Sequence, residues 1–152
     1  MNNGPKEDKI SSQSYKNFPP IEIIAQYVKD LSFEAPLVPS IFQDLREQTP
    51  DIPISVDIVR NSLKDKQEEI TIKVHIEATL GEKTAFLLEL AYSCVVKFKD
   101  LPEDQIDSVL LIETPRLMFP FVRQIISDIT VQGGFPPLML QLVDFESLYQ
   151  RK

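Results

Sequence analysis

Four segments of this chain alternate apolar with polar residues, and all four lie before the first helical pattern. They cover about residues 22–34, 53–63, 69–78 and 84–98. An alternation with a period of two is typical of β-strands that bury one face. Because the strands come first and the helices follow, the expected fold class is α+β with an antiparallel sheet, rather than a series of βαβ units.

The links between the segments predict the order of the strands. Residues 64–67 and 80–83 are short and are polar or contain glycine, which is typical of hairpin turns. The link between the first two strands, residues 35–53, is spaced by prolines and is too long for a hairpin. It acts as a long crossover loop. We therefore expect a four-stranded sheet of order 1-4-3-2, with C-terminal helices packed on one face.

The alternation also divides the side chains of each strand between a covered and an exposed face. In the fourth strand, Leu87 and Glu89 fall opposite Phe86, and an unpaired carboxylate is costly to bury. In the first strand, Asp30 and Glu34 also fall on the exposed face. The covered face of that strand is expected to hold Ile23, Ala25, Tyr27, Leu31 and Phe33. If the first and fourth strands are neighbours, three acids gather around Leu87.

Two long helices and a short one are expected after the sheet. The first covers residues 101–113; the second has Thr114 as its cap and Pro115 at its first position, and ends at the glycine pair 133–134. The short helix starts at Asp144. Apolar residues cover more than one side of the second helix, which favours oligomerisation, although one subunit could bury them all. The stripe expected at the interface is Met118, Phe121, Val122, Ile125 and Ile129.

The composition argues against several classes of function. The net charge of −7 argues against nucleic acid, whose phosphates attract basic surfaces. The only histidine, His75, and the only cysteine, Cys94, cannot form a triad, a metal cluster or a disulfide. No apolar run is long enough to insert into a membrane. We expect a cytoplasmic protein that is not an enzyme, with a flexible polar tail at residues 1–19 and one domain at residues 20–152.

Four motifs resemble those of the SecB protein-export chaperones in sequence, order and spacing. They are KDLSFEAP (29–36), LGEKTAFLLEL (80–90), LMFPFVR (117–123) and GGFPPLMLQLVDFESLY (133–149). The resemblance implies an ATP-independent holdase that forms a homotetramer, a dimer of dimers with helices between two outer sheets. Such a protein binds unfolded precursor proteins and delivers them to SecA, the ATPase motor of the secretion channel. No cofactor is implied, because the zinc of the docking module belongs to SecA.

The resemblance also implies two kinds of binding site. SecA would dock on an acidic patch formed by Asp30, Glu34, Leu87 and Glu89, which strand parity groups on the exposed face. Unfolded clients would enter a groove between the crossover loop and the last helix. The residues implied for this groove are Ile41, Phe42, Leu45, Phe145, Leu148 and Tyr149. Each of these six could equally be part of the core, and the acidic patch could be an ordinary solvated face.

Two other interpretations stay open at the level of the sequence. A small hot-dog-like thioesterase or ligand-binding protein also packs helices on an antiparallel sheet, but it requires a polar catalytic residue facing a closed apolar pocket. A SecB-like chaperone linked to a toxin–antitoxin pair would guard one antitoxin rather than the exported precursors. The motifs do not separate general export from such a dedicated role.

Overall fold

The computed structural model of the chain describes Gly4 and residues 21–151, so the expected tail at residues 1–19 lies outside the described residues except for Gly4. The strands are β1 Ile21–Glu34, β2 Ile54–Ser62, β3 Gln67–Leu80 and β4 Lys83–Phe98. The helices are α1 Ile41–Glu47, α2 Glu103–Ser108, α3 Thr114–Gln132 and α4 Phe145–Gln150, with a π-helical turn, Val109–Glu113, between α2 and α3. Within the described residues, none of the helices combines the length and the apolar character needed to cross a membrane.

The four strands form one antiparallel sheet in the order β1-β4-β3-β2, which confirms the predicted order. The turn after β2 holds Asp65 and Lys66 at φ values of 60° and 57°, and the turn after β3 holds Gly81 at a φ of 58°. Positive φ values at turn residues give the twist that neighbouring antiparallel strands need. The two turns therefore keep β2, β3 and β4 adjacent, and β1 reaches β4 from the other side.

One face of the sheet, which we call the inner face, packs beneath α3 and forms the core. Its side chains from β3 are Ile70, Ile72, Val74 and Ile76, all of them buried. The apolar side chains of α3 that are completely buried lie four residues apart on one side of the helix, at Met118, Val122 and Ile126. The opposite face of the sheet, the outer face, carries exposed charged residues from β3, namely Lys73, His75 and Glu77.

The predicted helix break at Thr114 is wrong, because α2, the π-helical turn and α3 follow one another as one continuous helix. Thr114 has helical dihedral angles, φ −62° and ψ −49°. Its hydroxyl donates a hydrogen bond to the carbonyl of Val109 rather than capping a new helix. The wider π-helical turn gives room to the ring of Pro115, which in a regular helix would clash with the carbonyl four residues earlier.

The predicted end of α3 at Gly133 and Gly134 is confirmed. Gly134 has a φ of 87°, a conformation that favours glycine. Its amide donates to the carbonyl of Val131, and the amide of Phe135 donates to the carbonyl of Thr130, both at 3.0 Å. This pair of hydrogen bonds satisfies the last carbonyls of a helix. The chain then turns so that Phe135 packs back into the core.

The crossover loop contains a helix, α1, that its proline spacing did not indicate. Ile41, the first residue of α1, is buried in the core. The ring centroids of Phe42 and Phe135 are 5.2 Å apart, and those of Phe86 and Phe135 are 5.0 Å apart. Phe33 of β1 stacks on Phe86 at 5.6 Å. These four rings, the aromatic cluster, join the crossover loop to the sheet and to the chain that follows α3.

β1 departs from the predicted alternation at two β-bulges, where Ile24 and Lys29 have no partner in the register with β4. Each extra residue reverses the face that the next side chain takes. The prediction that Ala25 and Tyr27 belong to the covered face is therefore wrong, because both are in register with outer-face residues of β4. The second bulge restores the predicted parity from Asp30 onward.

Candidate protein-binding surfaces

The residues of the acidic patch lie together on the outer face. In the register of β1 with β4, Ser32 is opposite Glu89 and Glu34 is opposite Leu87, with Asp30 two residues before Ser32 on the same face. The three carboxylates are exposed, and Leu87 is half-buried. Side chains at such positions on adjacent strands are about 5–8 Å apart. The predicted placement of these residues is confirmed, and their role in binding SecA stays a prediction.

A fourth acid, Glu77 of β3, lies beside Leu87 and is absent from the predicted patch. It is exposed and is in register with Leu87 on the side away from Glu34. A bulge between Ala78 and Thr79 shifts the β3–β4 register, so counting from the turn does not give this pairing. The alternation of apolar and polar residues could have indicated this position. If β3 and β4 both bury their apolar faces, Glu77 and Leu87 lie on the same exposed face.

Basic side chains lie on the outer face next to the acidic patch. His75 Nδ1 is 3.2 Å from Glu89 Oε1, and both side chains are about half exposed. A shallow depression of about 430 Å³ opens beside this pair. The charged or titratable residues that line it are Lys29, Asp30, Asp57, Lys73, His75 and Glu89. The net charge of the patch therefore depends on which acids Lys29 and Lys73 contact.

Lys29 contacts a buried acid of β3 rather than the neighbouring Asp30. Its Nζ is 2.7 Å from Glu69 Oε1, Tyr27 donates to the other oxygen of the Glu69 carboxylate, and Asn61 Nδ2 donates to Oε1 at 3.2 Å. Hydrogen bonds from Lys29 and Tyr27 lower the pKa of Glu69 from 4.5 to about 2. Burial and the bond to Glu69 raise the pKa of Tyr27 to about 12. We call Tyr27, Lys29, Asn61 and Glu69 the Glu69 cluster.

Glu68, the preceding residue of β3, points to the inner face and makes a separate set of contacts. Arg60 donates to its two carboxylate oxygens at 3.1 and 3.2 Å, and the hydroxyl of Ser62 also donates to it. Arg60 donates in addition to Asp107 of α2 at 2.6 Å. Glu68 and Glu69 are buried to nearly the same degree, with 7% and 6% exposed. The carboxylates of these two adjacent residues therefore lie on opposite faces of the sheet.

Three of the six residues expected in the client groove, Leu45, Leu148 and Tyr149, line two separate cavities. One, of about 200 Å³, lies beside the aromatic cluster, and its wall includes Leu45, Phe86, Phe135 and Leu138. The other, of about 220 Å³, lies between β2 and α4, and its wall includes Ile58, Leu111, Leu148 and Tyr149. The two cavities share no lining residue. The crossover loop and α4 therefore do not meet in either of these cavities.

Burial separates the six client-groove candidates into two groups. Ile41 and Phe145 are only 1% and 2% exposed and belong to the core. The ring of Phe145 packs edge-on against Phe119, with centroids 5.6 Å apart. The half-buried candidates are Phe42, Leu45, Leu148 and Tyr149. These four leave part of their apolar surface uncovered, and their role in client binding stays a prediction.

Burial also divides the stripe of α3 that was expected at an oligomer interface. Met118 and Val122 are completely buried within the chain, because they pack on the sheet. Phe121 is 49% exposed, and Leu117, which lies one turn earlier, is 47% exposed. Ile125 and Ile129 are half-buried. The side chains of α3 that a second copy could contact therefore include Phe121 and Leu117, and the role of the stripe in assembly stays a prediction.

The two residues that could have carried chemistry lie in ordinary surroundings. Cys94 is buried in the core, as its parity predicts, and burial raises the pKa of its thiol to about 11. Such a thiol is a poor nucleophile at neutral pH. His75 lies on the exposed face, as predicted, and pairs with Glu89. Within residues 21–151, neither side chain contacts the partners that covalent catalysis requires.

Comparisons of the sequence with known proteins give a consistent result. A family described as preprotein translocase subunit SecB matches residues 14–152. A protein-export protein SecB from Paramagnetospirillum magneticum is 45% identical over 137 residues, which cover 90% of this chain and 88% of that protein. A protein-export protein SecB from Rhodospirillum rubrum is 47% identical over 133 residues, which cover 88% of this chain and 82% of that protein.

A solved structure shares the fold. It is a SecB-like chaperone from Mycobacterium tuberculosis in complex with a peptide from an antitoxin, and it matches with a TM-score of 0.63. The match covers 82% of this chain and 91% of that one, at 12% sequence identity. At so low an identity the likeness concerns the arrangement of strands and helices alone.

Proposed function

The chain belongs to the SecB family, and we propose that it holds precursors of exported proteins unfolded and delivers them to SecA. Family membership makes it a protein-export chaperone rather than a hot-dog-like enzyme. The relatives named for protein export share far more sequence with it than the antitoxin-bound chaperone does. This difference favours general export over a role dedicated to one antitoxin.

Docking of SecA would use the acidic patch. The observation that carries this proposal is the exposure of Asp30, Glu34 and Glu89 around Leu87 on a sheet face that no helix covers among the described residues. Like charges on neighbouring strands destabilise the sheet. A basic segment of a partner would relieve that repulsion, and Leu87 would add an apolar contact at its centre.

Client binding would use the two apolar cavities. A chaperone that accepts many unfolded chains needs apolar surface of low specificity rather than one tailored pocket. Phe42 is our preferred client contact, because its half-buried ring stands in the crossover loop at the edge of the aromatic cluster. Tyr149 and Leu148 would serve a second segment of the client between α4 and β2.

We propose that residues 20–152 act as one chaperone domain and that four copies assemble as a dimer of dimers in the cytoplasm. Support comes from apolar side chains that a single copy leaves in water. These include Ile23, Val28 and Leu31 on β1 and Leu117 and Phe121 on α3. An exposed apolar area that spans a strand and a helix is typical of an interface with another protein.

Glu89→Lys tests the docking proposal. The change puts a positive charge where the basic segment of SecA would bind, so titration calorimetry with purified SecA should show affinity reduced by about tenfold or more. The matched control is Glu47→Lys, which makes the same charge change at an exposed position at the end of α1. The control should bind SecA as the unchanged protein does.

Both variants should keep the native mass and the circular dichroism spectrum of the unchanged protein, since both positions are exposed. With folding and assembly intact, undiminished binding of SecA to Glu89→Lys would refute the acidic patch as the docking site. An equal loss in the Glu47→Lys control would attribute the effect to overall charge and would also refute it.

Phe42→Ser tests the client proposal. Removing the ring takes half-buried apolar surface from the crossover loop beside the aromatic cluster, so the protein should suppress aggregation of an unfolded precursor less well at equal concentration. Leu142→Ser is the control, because Leu142 is 82% exposed and lies outside both cavities. Light scattering measures the suppression; a full holding capacity in Phe42→Ser would leave Phe42 as a packing residue only.

A further inference from the structure

Lys29 lies next to the acidic patch, yet its ammonium pairs with an acid outside the patch. The β-bulge at Lys29 brings this residue to the same face as Asp30, and both line the outer-face depression. In an unbroken strand, successive side chains would point to opposite faces. The ammonium of Lys29 nevertheless pairs with Glu69 at 2.7 Å. Glu69 belongs to β3, so the contact passes over the intervening strand β4.

We propose that Glu69 is a positioning residue for SecA docking, because it holds Lys29 away from Asp30 and so keeps the acidic patch negative. This inference rests on the proposed function of the patch. Glu69 would not touch the partner, since its side chain is only 8% exposed. Its effect on docking would pass entirely through Lys29.

The contact between Glu69 and Lys29 is stronger than an ordinary surface ion pair. A buried carboxylate is stable only when charged and polar partners satisfy it, so Glu69 gains much from retaining Lys29. Tyr27 and Asn61 hold the carboxylate from the strands at the two edges of the sheet. The low pKa of Glu69, about 2, keeps it charged at neutral pH.

Without a charged Glu69, Lys29 would turn toward the exposed acids of the acidic patch. Asp30 is the nearest in sequence and is exposed, and the stem of a lysine is long and flexible. Glu89 already contacts His75. An ion pair between Lys29 and Asp30 would therefore neutralise one of the three exposed carboxylates of the predicted patch.

Glu69→Gln is the direct test, because the amide keeps the shape of the side chain and removes its charge. We expect calorimetry with purified SecA to show affinity weakened by about twofold to fivefold, the size of one surface ion pair. Adding Lys29→Met to Glu69→Gln should restore the original affinity, since the ammonium that Glu69 no longer holds is then removed. A merely structural role of Glu69 would not produce this rescue.

The matched control is Glu68→Gln. Glu68 lies on the same strand, is equally buried and gives the same change in net charge, but it faces the inner side and binds Arg60. We expect this variant to bind SecA with unchanged affinity. A loss equal to that of Glu69→Gln would assign the effect to net charge or to stability and would overturn the proposal.

Two further results would overturn it: unchanged affinity in Glu69→Gln, or an affinity in the double variant as low as in Glu69→Gln. These outcomes are distinct from a failure of the docking site. Intact SecA binding by Glu89→Lys would refute the patch itself, whereas missing rescue by Lys29→Met refutes only the positioning role of Glu69.

A measurement on the unchanged protein covers the case in which Glu69→Gln does not fold. Amine acetylation followed by mass spectrometry compares Lys29 with Lys73, an exposed lysine of the same depression without an ion pair among the described residues. An ammonium that donates a short hydrogen bond to a carboxylate is less accessible to the acetylating reagent and reacts more slowly. Slower acetylation of Lys29 supports the proposal, and equal rates overturn it.

Discussion

A single buried carboxylate, that of Glu69 on β3, connects residues of β1 and β2 on the outer face. Glu69 accepts hydrogen bonds from Tyr27 and Lys29 of β1 and from Asn61 of β2, and the low exposure of its side chain removes it from water. A buried charge is costly, and the contacts of the cluster offset that cost. Removing the charge weakens the hydrogen bonds from all three donors at once, which is a larger loss than one surface ion pair.

The Glu69 cluster predicts a loss of stability in acid. Hydrogen bonds from Lys29 and Tyr27 lower the pKa of Glu69 from 4.5 to about 2, so between these values the unfolded chain binds a proton that the folded chain does not. The stabilisation is complete above about pH 4.5 and is lost as the pH falls through 2. Glu69→Gln should lower the free energy of unfolding at neutral pH by about 1–3 kcal/mol.

Urea unfolding at a series of acid pH values measures this effect. Between about pH 4.5 and 2, the unfolding free energy of Glu69→Gln should decline less steeply than that of the unchanged protein. Glu82→Gln, a change at an exposed turn residue, should leave the slope as it is. Parallel curves for Glu69→Gln and the unchanged protein would contradict the assignment of acid sensitivity to Glu69.

Among the elements, α3 contains two buried threonines whose hydroxyls make different kinds of hydrogen bond. The hydroxyl of Thr114 donates to the carbonyl of Val109, which also receives the backbone amide of Thr114. The hydroxyl of Thr130 donates to the carbonyl of Ser127 at 2.9 Å and accepts the amide of Leu138 at 3.0 Å. Thr130 therefore fastens the chain that follows α3, whereas Thr114 adds a bond within the helix.

Thr130→Val should destabilise the protein more than Thr114→Val. The same change removes one neutral hydrogen bond at Thr114, worth about 1 kcal/mol, and also leaves the amide of Leu138 unsatisfied at Thr130, for a total of about 2–3 kcal/mol. Urea unfolding of the two variants measures the difference. Equal costs would show that another group, such as water, satisfies the Leu138 amide.

Sequence patterns predicted the elements wherever one physical rule governed them. Alternation gave β2, β3 and β4 and the strand order, because one face of the sheet is apolar and the links allow few pairings. The first half of β1 was predicted wrongly, because nothing in the sequence marks the bulges at Ile24 and Lys29. The wrong prediction of a break at Thr114 has a simple cause. The residues around Pro115 would look the same whether this proline began a new helix or followed a π-helical turn within a continuous one.

The candidate site was predictable to the extent that it depends on parity. Asp30, Glu34 and Glu89 could be grouped because they lie beyond the second bulge or on a regular strand. The Glu69 cluster was not predicted, because it needs Tyr27 on the outer face, which the bulges bring about. Burial of Ile41 and Phe145 also escapes the sequence, since a short amphipathic helix looks alike whether it faces a client or the core.

At the scale of the whole molecule, the inner face is wider than the helices can cover. β1 is an edge strand, and its side chains Val28 and Leu31 are 45% and 39% exposed although they are in register with the buried Tyr92 and Leu90. The ring of Phe121 stacks on Tyr92 with centroids 6.3 Å apart and borders this uncovered strip. A second copy of the chain is the occupant that the proposed tetramer supplies.

Phe121→Glu should disrupt that assembly. A carboxylate at a half-exposed aromatic position would have to be buried without a partner when the copies associate, so native mass spectrometry should show smaller species than the unchanged protein at the same concentration. Leu142→Glu, a change at a residue that is 82% exposed, should keep the native mass of the unchanged protein. An intact tetramer in Phe121→Glu would exclude this side of α3 from the interface.

The reach of Glu69 across β4 has a mechanical consequence. Backbone hydrogen bonds join each strand only to its neighbours, whereas this carboxylate links the two rims of the sheet, β1 and β2, through one anchor. Separation of one edge strand from the sheet would therefore weaken the contacts of the other edge strand, without any movement of the helices on the inner face. The crossover loop joins β1 and β2. A client that pulls on this loop would therefore apply force to both edge strands at the same time.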